Sequence, residues 1–110
     1  MGLAMTTSFT TPSYDLYLIK KTFSKVDKLR FTKSARQGYV ELGMDEQDVV
    51  DVIKSLQPSD FYKTMPSDKR PDLGYFDVYR TSWCGVDIYT KFQDIGSGFI
   101  SMYIVSFKRK

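Results

Sequence analysis

Apolar positions recur along this chain with two periods, a helical one in the first half and an alternating one in the second. Leu16, Ile19 and Phe23 fall at i, i+3 and i+7, a single stripe with Lys20 and Lys21 outside it. That spacing predicts a helix capped by Ser13 and ending near Ser24. Leu29 to Thr32 alternates apolar and polar residues and predicts a short strand, followed by a helical turn or two from Ser34 to Leu42 that closes at Gly43. The clearest helix opens at Asp45, with acids in its first turn, Val49, Val52, Ile53 and Leu56 on one face, and Pro58 beyond its end. After the run Asp60 to Met65, the stretch from Pro66 to Leu73 holds two prolines and four charged residues, which predicts an exposed loop.

Three strand-like runs follow, Tyr75 to Ser82, Val86 to Gln93 and Phe99 to Phe107, separated by Cys84-Gly85 and by Gly96-Ser97-Gly98 at hairpin spacing. They predict an antiparallel meander. In the middle run Val86, Ile88 and Phe92 point one way while Asp87, Tyr89, Lys91 and Gln93 point the other. One sheet face is therefore expected under helices and the other polar. The last run is apolar on both parities, the pattern of a central strand. The fold class is α+β, with one domain over residues 12–110 behind a loose tail, residues 1–11.

Composition narrows the function. A chain of 110 residues, 42% hydrophobic, supports one core. No apolar run approaches the roughly 20 residues of a membrane span, and the N-terminal stretch lacks the build of a secretory signal. Cys84 is the only cysteine and there is no histidine, so neither an internal disulfide nor a transition-metal site of the usual ligands is expected. A reducing, cytoplasmic home without membrane, metal or cofactor follows as the expectation. The net charge is only +3, yet Lys20, Lys21, Lys25, Lys28, Arg30, Lys33 and Arg36 crowd one segment against the single acid Asp27. Such a surface suits a polyanion, although charge runs are commonly just solvated helix faces.

The absence of histidine rules out histidine triads and dyads, and no Gly-x-x-x-x-Gly-Lys-Ser/Thr element is present. Gly96-x-Gly98 lies between strands and reads as a turn, Asp68 and Asp72 as solvated loop acids, and Trp83 as an aromatic at the core edge or facing a partner. Lysine, arginine and tyrosine can still cleave RNA through attack of its own 2′-hydroxyl, which needs a proton acceptor, cations for the charged transition state and a donor for the leaving 5′-oxygen. An ordinary lysine, with a pKa of roughly 10.4, has on the order of a thousandth or less of its amine neutral at pH 7, so charge stabilisation suits it better than base catalysis. Tyrosine donates in its ordinary form without such a cost. Which residue takes the first proton stays open at this point.

Three segments, Ser59-Asp60-Phe61-Tyr62-Lys63-Thr64-Met65, Asp77-Val78-Tyr79-Arg80 and Val105-Ser106-Phe107-Lys108, together resemble in order and spacing the MqsR (motility quorum-sensing regulator) toxins. The likeness covers nearly all the chain beyond about Thr11 and is densest from Ser59 onward. It implies a metal-independent endoribonuclease toxin with a RelE-like fold, restrained by an MqsA-type antitoxin and cutting single-stranded mRNA with a preference for GC-containing trinucleotides. Carried over by position, the family's catalytic residues fall on Lys63, Tyr89 and Lys108.

The family's glutamine before Asp-Val-Tyr-Arg is replaced here by Phe76, which has no amide but can stack on a base, with Gln93 on the parity of Tyr89 as a substitute. Arg80 and Lys91 complete the expected RNA contacts. Tyr62, Phe61, Tyr79 and Phe107 read as packing residues that orient their neighbours. The competing expectation is a catalytically inactive domain that binds RNA or an antitoxin, its activity lost with the change at Phe76.

Overall fold

The computed structural model describes residues 11–66, 75–94 and 102–110. Helices α1 (Leu16–Thr22), α2 (Lys33–Glu41) and α3 (Glu46–Ser55) precede four strands, β1 (Phe61–Pro66), β2 (Tyr75–Trp83), β3 (Val86–Asp94) and β4 (Met102–Arg109). The strands form one antiparallel sheet in chain order. No helix among the described residues is long and apolar enough to cross a membrane. The predicted 66–73 loop beyond Pro66 with Asp68 and Asp72, the Gly96-Ser97-Gly98 turn, the start of the last strand run and residues 1–10 of the tail lie outside the described residues.

Helix α3 forms as its pattern requires. The Asp45 side chain accepts from the Asp48 backbone N–H while the Asp48 side chain accepts from that of Asp45, a reciprocal cap, and Val49, Val52, Ile53 and Leu56 are all fully buried. Helix α1 differs from expectation at its start. Its cap is Asp15, which accepts from the Tyr17 N–H. Ser13 instead faces the sheet: its N–H donates to Asp77 and its hydroxyl pairs with that of Thr64 at 2.6 Å. Helix α2 is capped by Thr32, and Gly43 beyond its end takes φ +73, a conformation that glycine adopts without steric cost. Leu29 to Thr32 makes a single parallel bridge, Phe31 to Ile104, in place of a strand.

One parity of the sheet, including Tyr79, Ile88, Phe92, Ile104 and Phe107, meets the helices through Ile19, Phe23, Val49, Val52 and Ile53 in one cluster. Each large apolar side chain there contributes roughly 1.5–3 kcal/mol by leaving water. The Phe23 and Phe92 rings stack at 6.0 Å, and Tyr79 meets Phe92 edge to face at 5.9 Å.

Two corrections concern the sheet. Residues 61–66 form β1, although the sequence does not alternate there, because the register slips between Phe61 and Lys63 and leaves Tyr62 as an extra residue. The last strand run ends the sheet order where its pattern suggested the centre. Its apolar residues on both parities have local reasons: a second register shift lies opposite Lys91/Phe92, and the far edge of β4 pairs with residues 30–32 through Thr32 N–H to Ile104 and Ile104 N–H to Arg30. Helix α2 also lies against β4, so closely that a Cβ on Gly38 would meet the Phe107 carbonyl oxygen at 1.8 Å.

Candidate functional site

The face of the sheet opposite the core cluster carries all seven expected site residues, with Lys108 at the β4 edge beside α2. The registers give three adjacent rows: Met65, Phe76, Gln93 and Tyr103; Lys63, Val78, Lys91 and Ser106; and Arg80, Tyr89 and Lys108. Tyr89 sits at the middle of the last row, with Arg80 on one neighbouring strand and Lys108 on the other. The Lys108 Nζ lies 5.9 Å and the Lys91 Nζ 5.6 Å from the centre of the Tyr89 ring. The Lys91 ammonium is also 4.8 Å from the centre of the Phe76 ring.

Strand β3 supplies Tyr89, Lys91 and Gln93 by simple alternation, since Ile88, Thr90 and Phe92 between them are buried toward the helices. The β2–β3 hairpin holds its register with a two-residue turn in which Cys84 and Gly85 both have positive φ, 51° and 80°, the backbone that matches the twist of paired strands. Asp77 fixes the neighbouring β2 from behind. Its buried carboxylate accepts the N–H groups of Ser13 and Tyr14 at 3.0 and 2.9 Å, tying the chain before α1 across the sheet. On the functional face Lys63, Arg80, Lys91 and Lys108 face the single acid Asp87 among the described strand residues. A surface with that balance and interleaved aromatic rings attracts a phosphate chain and offers its bases stacking partners.

The family-specific segments now have physical roles. In Asp77-Val78-Tyr79-Arg80, Asp77 anchors the N-terminal segment, Tyr79 enters the core and Arg80 reaches the opposite face. A model of the family described as motility quorum-sensing regulator, toxin of MqsA, matches residues 11–109. The chain belongs to this family. It is also 35% identical over 100 residues, 91% of this chain and 96% of the relative, to the mRNA interferase toxin MqsR of Escherichia coli strain K12.

Within this MqsR-family chain, the position where the family's glutamine was expected has an informative neighbour. Phe76 pairs directly with Gln93 across β2 and β3. Gln93 is 6% exposed and its amide nitrogen has no hydrogen-bond partner among the described residues. An unpaired buried donor costs about 1–3 kcal/mol, which a hydrogen bond to this amide would recover.

Tyr62 is the residue that sequence reasoning assigned to packing and the structure places on the functional face. It is 42% exposed, whereas its neighbour Phe61 takes the core contact with Tyr79. The Arg80 guanidinium carbon lies 3.8 Å from the centre of the Tyr62 ring, and the Lys63 Nζ 5.1 Å. The signal in the sequence was the loss of alternation at Phe61-Tyr62-Lys63.

A pocket of about 280 Å³ continues the Arg80 row toward the chain end, lined by Asp60, Arg80, Thr81, Ser82, Asp87 and Lys110. The larger apolar groove, about 490 Å³ between α1 and residues 56–58, contains none of the site residues. The basic segment from Lys20 to Arg36 lies on α1, α2 and the stretch between them, whose residues 30–32 border the open edge of β4. Within it, Lys20 donates to the Leu56 carbonyl and Arg36 pairs with Glu46 at 3.7 Å.

Proposed function

We propose that the chain is the toxin of a toxin–antitoxin pair, an endoribonuclease of the cytoplasm that cuts single-stranded mRNA without a metal ion, arrests translation and is restrained by an MqsA-type antitoxin. The observation that carries this reading is the row Arg80, Tyr89, Lys108 on three neighbouring strands, with Lys63 on the same face. Membership of the MqsR toxins and the relative's name as an mRNA interferase support it.

In the proposed reaction the substrate's 2′-oxygen bonds to the adjacent phosphorus and the bond from phosphorus to the 5′-oxygen breaks. The products are a 2′,3′-cyclic phosphate and a 5′-hydroxyl, with a net transfer of one proton from the 2′- to the 5′-oxygen. Lys63 and Lys108 supply positive charge where the non-bridging oxygens become more negative, and the Tyr89 phenol donates to the leaving oxygen. Arg80 and Lys91 hold neighbouring phosphates. Phe76 stacks on a base and Gln93 hydrogen-bonds its edge, which sets the preference among the GC-containing trinucleotides expected of the family.

The test is cleavage of a defined single-stranded RNA by purified protein in excess chelator, beside Lys63→Ala and Tyr89→Phe. Discrete cuts that weaken by about a hundredfold or more in each variant are expected. Intact RNA, bound in a salt-sensitive way by folded protein, would overturn the enzyme reading in favour of an inactive binding domain.

A further inference from the structure

We propose that Tyr62 is a positioning residue of the RNA-cleaving face, whose ring holds the Arg80 guanidinium and the Lys63 ammonium in place beside Tyr89. The inference rests on the reading that this face cleaves RNA.

The bulge is the first ground. In a regular strand Tyr62 and Lys63 would point to opposite faces. Here Phe61 pairs with Tyr79 on the core side and Lys63 with Val78 on the other, so Tyr62 is the inserted residue and joins Lys63 over the functional face. Bulges commonly re-aim side chains in this way beside active sites.

Contact geometry is the second. One ring meets groups from three strands: Lys63 beside it on β1, Arg80 from β2 at 3.8 Å, and the Tyr89 ring from β3, whose centre is 6.4 Å away with the planes at 64°. Both cations lie within the roughly 6 Å over which an aromatic quadrupole attracts positive charge. The edge-to-face contact also restricts the direction of the Tyr89 side chain, and with it the phenol.

Chemistry is the third. A carboxylate would order the same two cations more strongly, but it would cancel their charge and compete with the RNA phosphate. A neutral ring fixes their position and leaves both full charges for the substrate. The ring, not its hydroxyl, performs this function.

Single-turnover cleavage of a defined RNA by wild type, Tyr62→Phe, Tyr62→Leu and Arg80→Lys tests the proposal, with rate and RNA affinity measured separately. Tyr62→Phe is expected within about threefold of the wild-type rate, because it keeps the ring. Tyr62→Leu should lose about tenfold or more in rate and far less in affinity, as expected when only the placement of transition-state contacts is lost. The double variant Tyr62→Leu with Arg80→Lys should lose little more than the worse single variant, because the two residues act as a unit. A Tyr62→Leu enzyme as fast as wild type would overturn the proposal, as would a Tyr62→Phe enzyme as slow as Tyr62→Leu. If Tyr62→Leu fails to fold, Arg80→Lys, which keeps the charge but not the planar stack, carries the test, and an unchanged rate there overturns it. Wild-type protein that leaves RNA intact removes the reading beneath the proposal, an outcome separate from any pattern among the variants.

Discussion

Replacing Gly38 by alanine sets two effects against each other. By helix propensity alone the change favours folding by about 0.8–1.0 kcal/mol, since Gly38 lies inside α2. Packing opposes it: the new Cβ would stand 1.8 Å from the Phe107 carbonyl oxygen, where contacts under 3.0 Å essentially never occur, so helix and strand must part by at least the difference, 1.2 Å. The obstacle is backbone that no side-chain rotation clears, which puts the cost near the upper end of the roughly 1–3 kcal/mol typical of overpacking. A net loss of about 2 kcal/mol follows, a fall in melting temperature on the order of 10 °C for a domain this small. The displaced strand carries Lys108 next to Phe107, so cleavage should also fall well below the melting range, by up to about a hundredfold for a shift near 1 Å. Thermal unfolding followed by circular dichroism, with the RNA assay at low temperature, checks both. A Gly38→Ala protein that melts at or above the wild-type temperature would show instead that propensity outweighs the close approach.

Other expectations concern buried groups. Burial holds the Tyr79 phenol above its usual 10.0, with the Asp77 and Asp15 carboxylates adding to it, and burial also raises Tyr39 and Tyr14. These tyrosines stay protonated in the fold while an unfolded chain ionises, so their contribution is fully present below pH 10 and is lost as pH rises further. The slope for Tyr79 is about 1.4 kcal/mol per pH unit, and denaturant titrations between pH 9 and about pH 11 should show the decline; flat stability across that window would contradict it. Gln93→Leu removes an amide nitrogen that is buried and has no partner among the described residues, so the variant should melt as high as wild type or a few degrees higher. If the amide reads a base, the same variant should lose about tenfold in discrimination between cut and uncut trinucleotides. A lower melting point with an unchanged cutting pattern would assign Gln93 to the fold instead.

Much of the fold was legible because periodicity reports burial directly. The stripe of α3, its cap at Asp45 and the two parities of β3 stand as the pattern placed them. Failures occur where long-range contacts decide. Ser13 has the chemistry of a helix cap, but Asp77 and Thr64, remote in sequence, take its N–H and hydroxyl. The pattern of β1 is hidden because one extra residue at Tyr62 breaks its alternation, and that of β4 resembles a central strand because residues 30–32 cover its open edge. For the site, alternation on β3 gave the common parity of Tyr89, Lys91 and Gln93. That Arg80, Tyr89 and Lys108 share one row is a matter of register, which no single strand's sequence contains. Tyr62 needed the bulge to be seen.

In the proposed reaction this face directs a 2′-hydroxyl onto the neighbouring phosphate. Its most direct test uses an RNA with one mapped cleavage site, compared with the same RNA carrying a single 2′-deoxy residue immediately before the scissile phosphate. The modified strand should bind as well as the unmodified one and stay uncut at that position, while the unmodified strand yields a 2′,3′-cyclic phosphate there. Cleavage of the deoxy-substituted site at the normal rate would contradict it, since no 2′-oxygen would be present to attack.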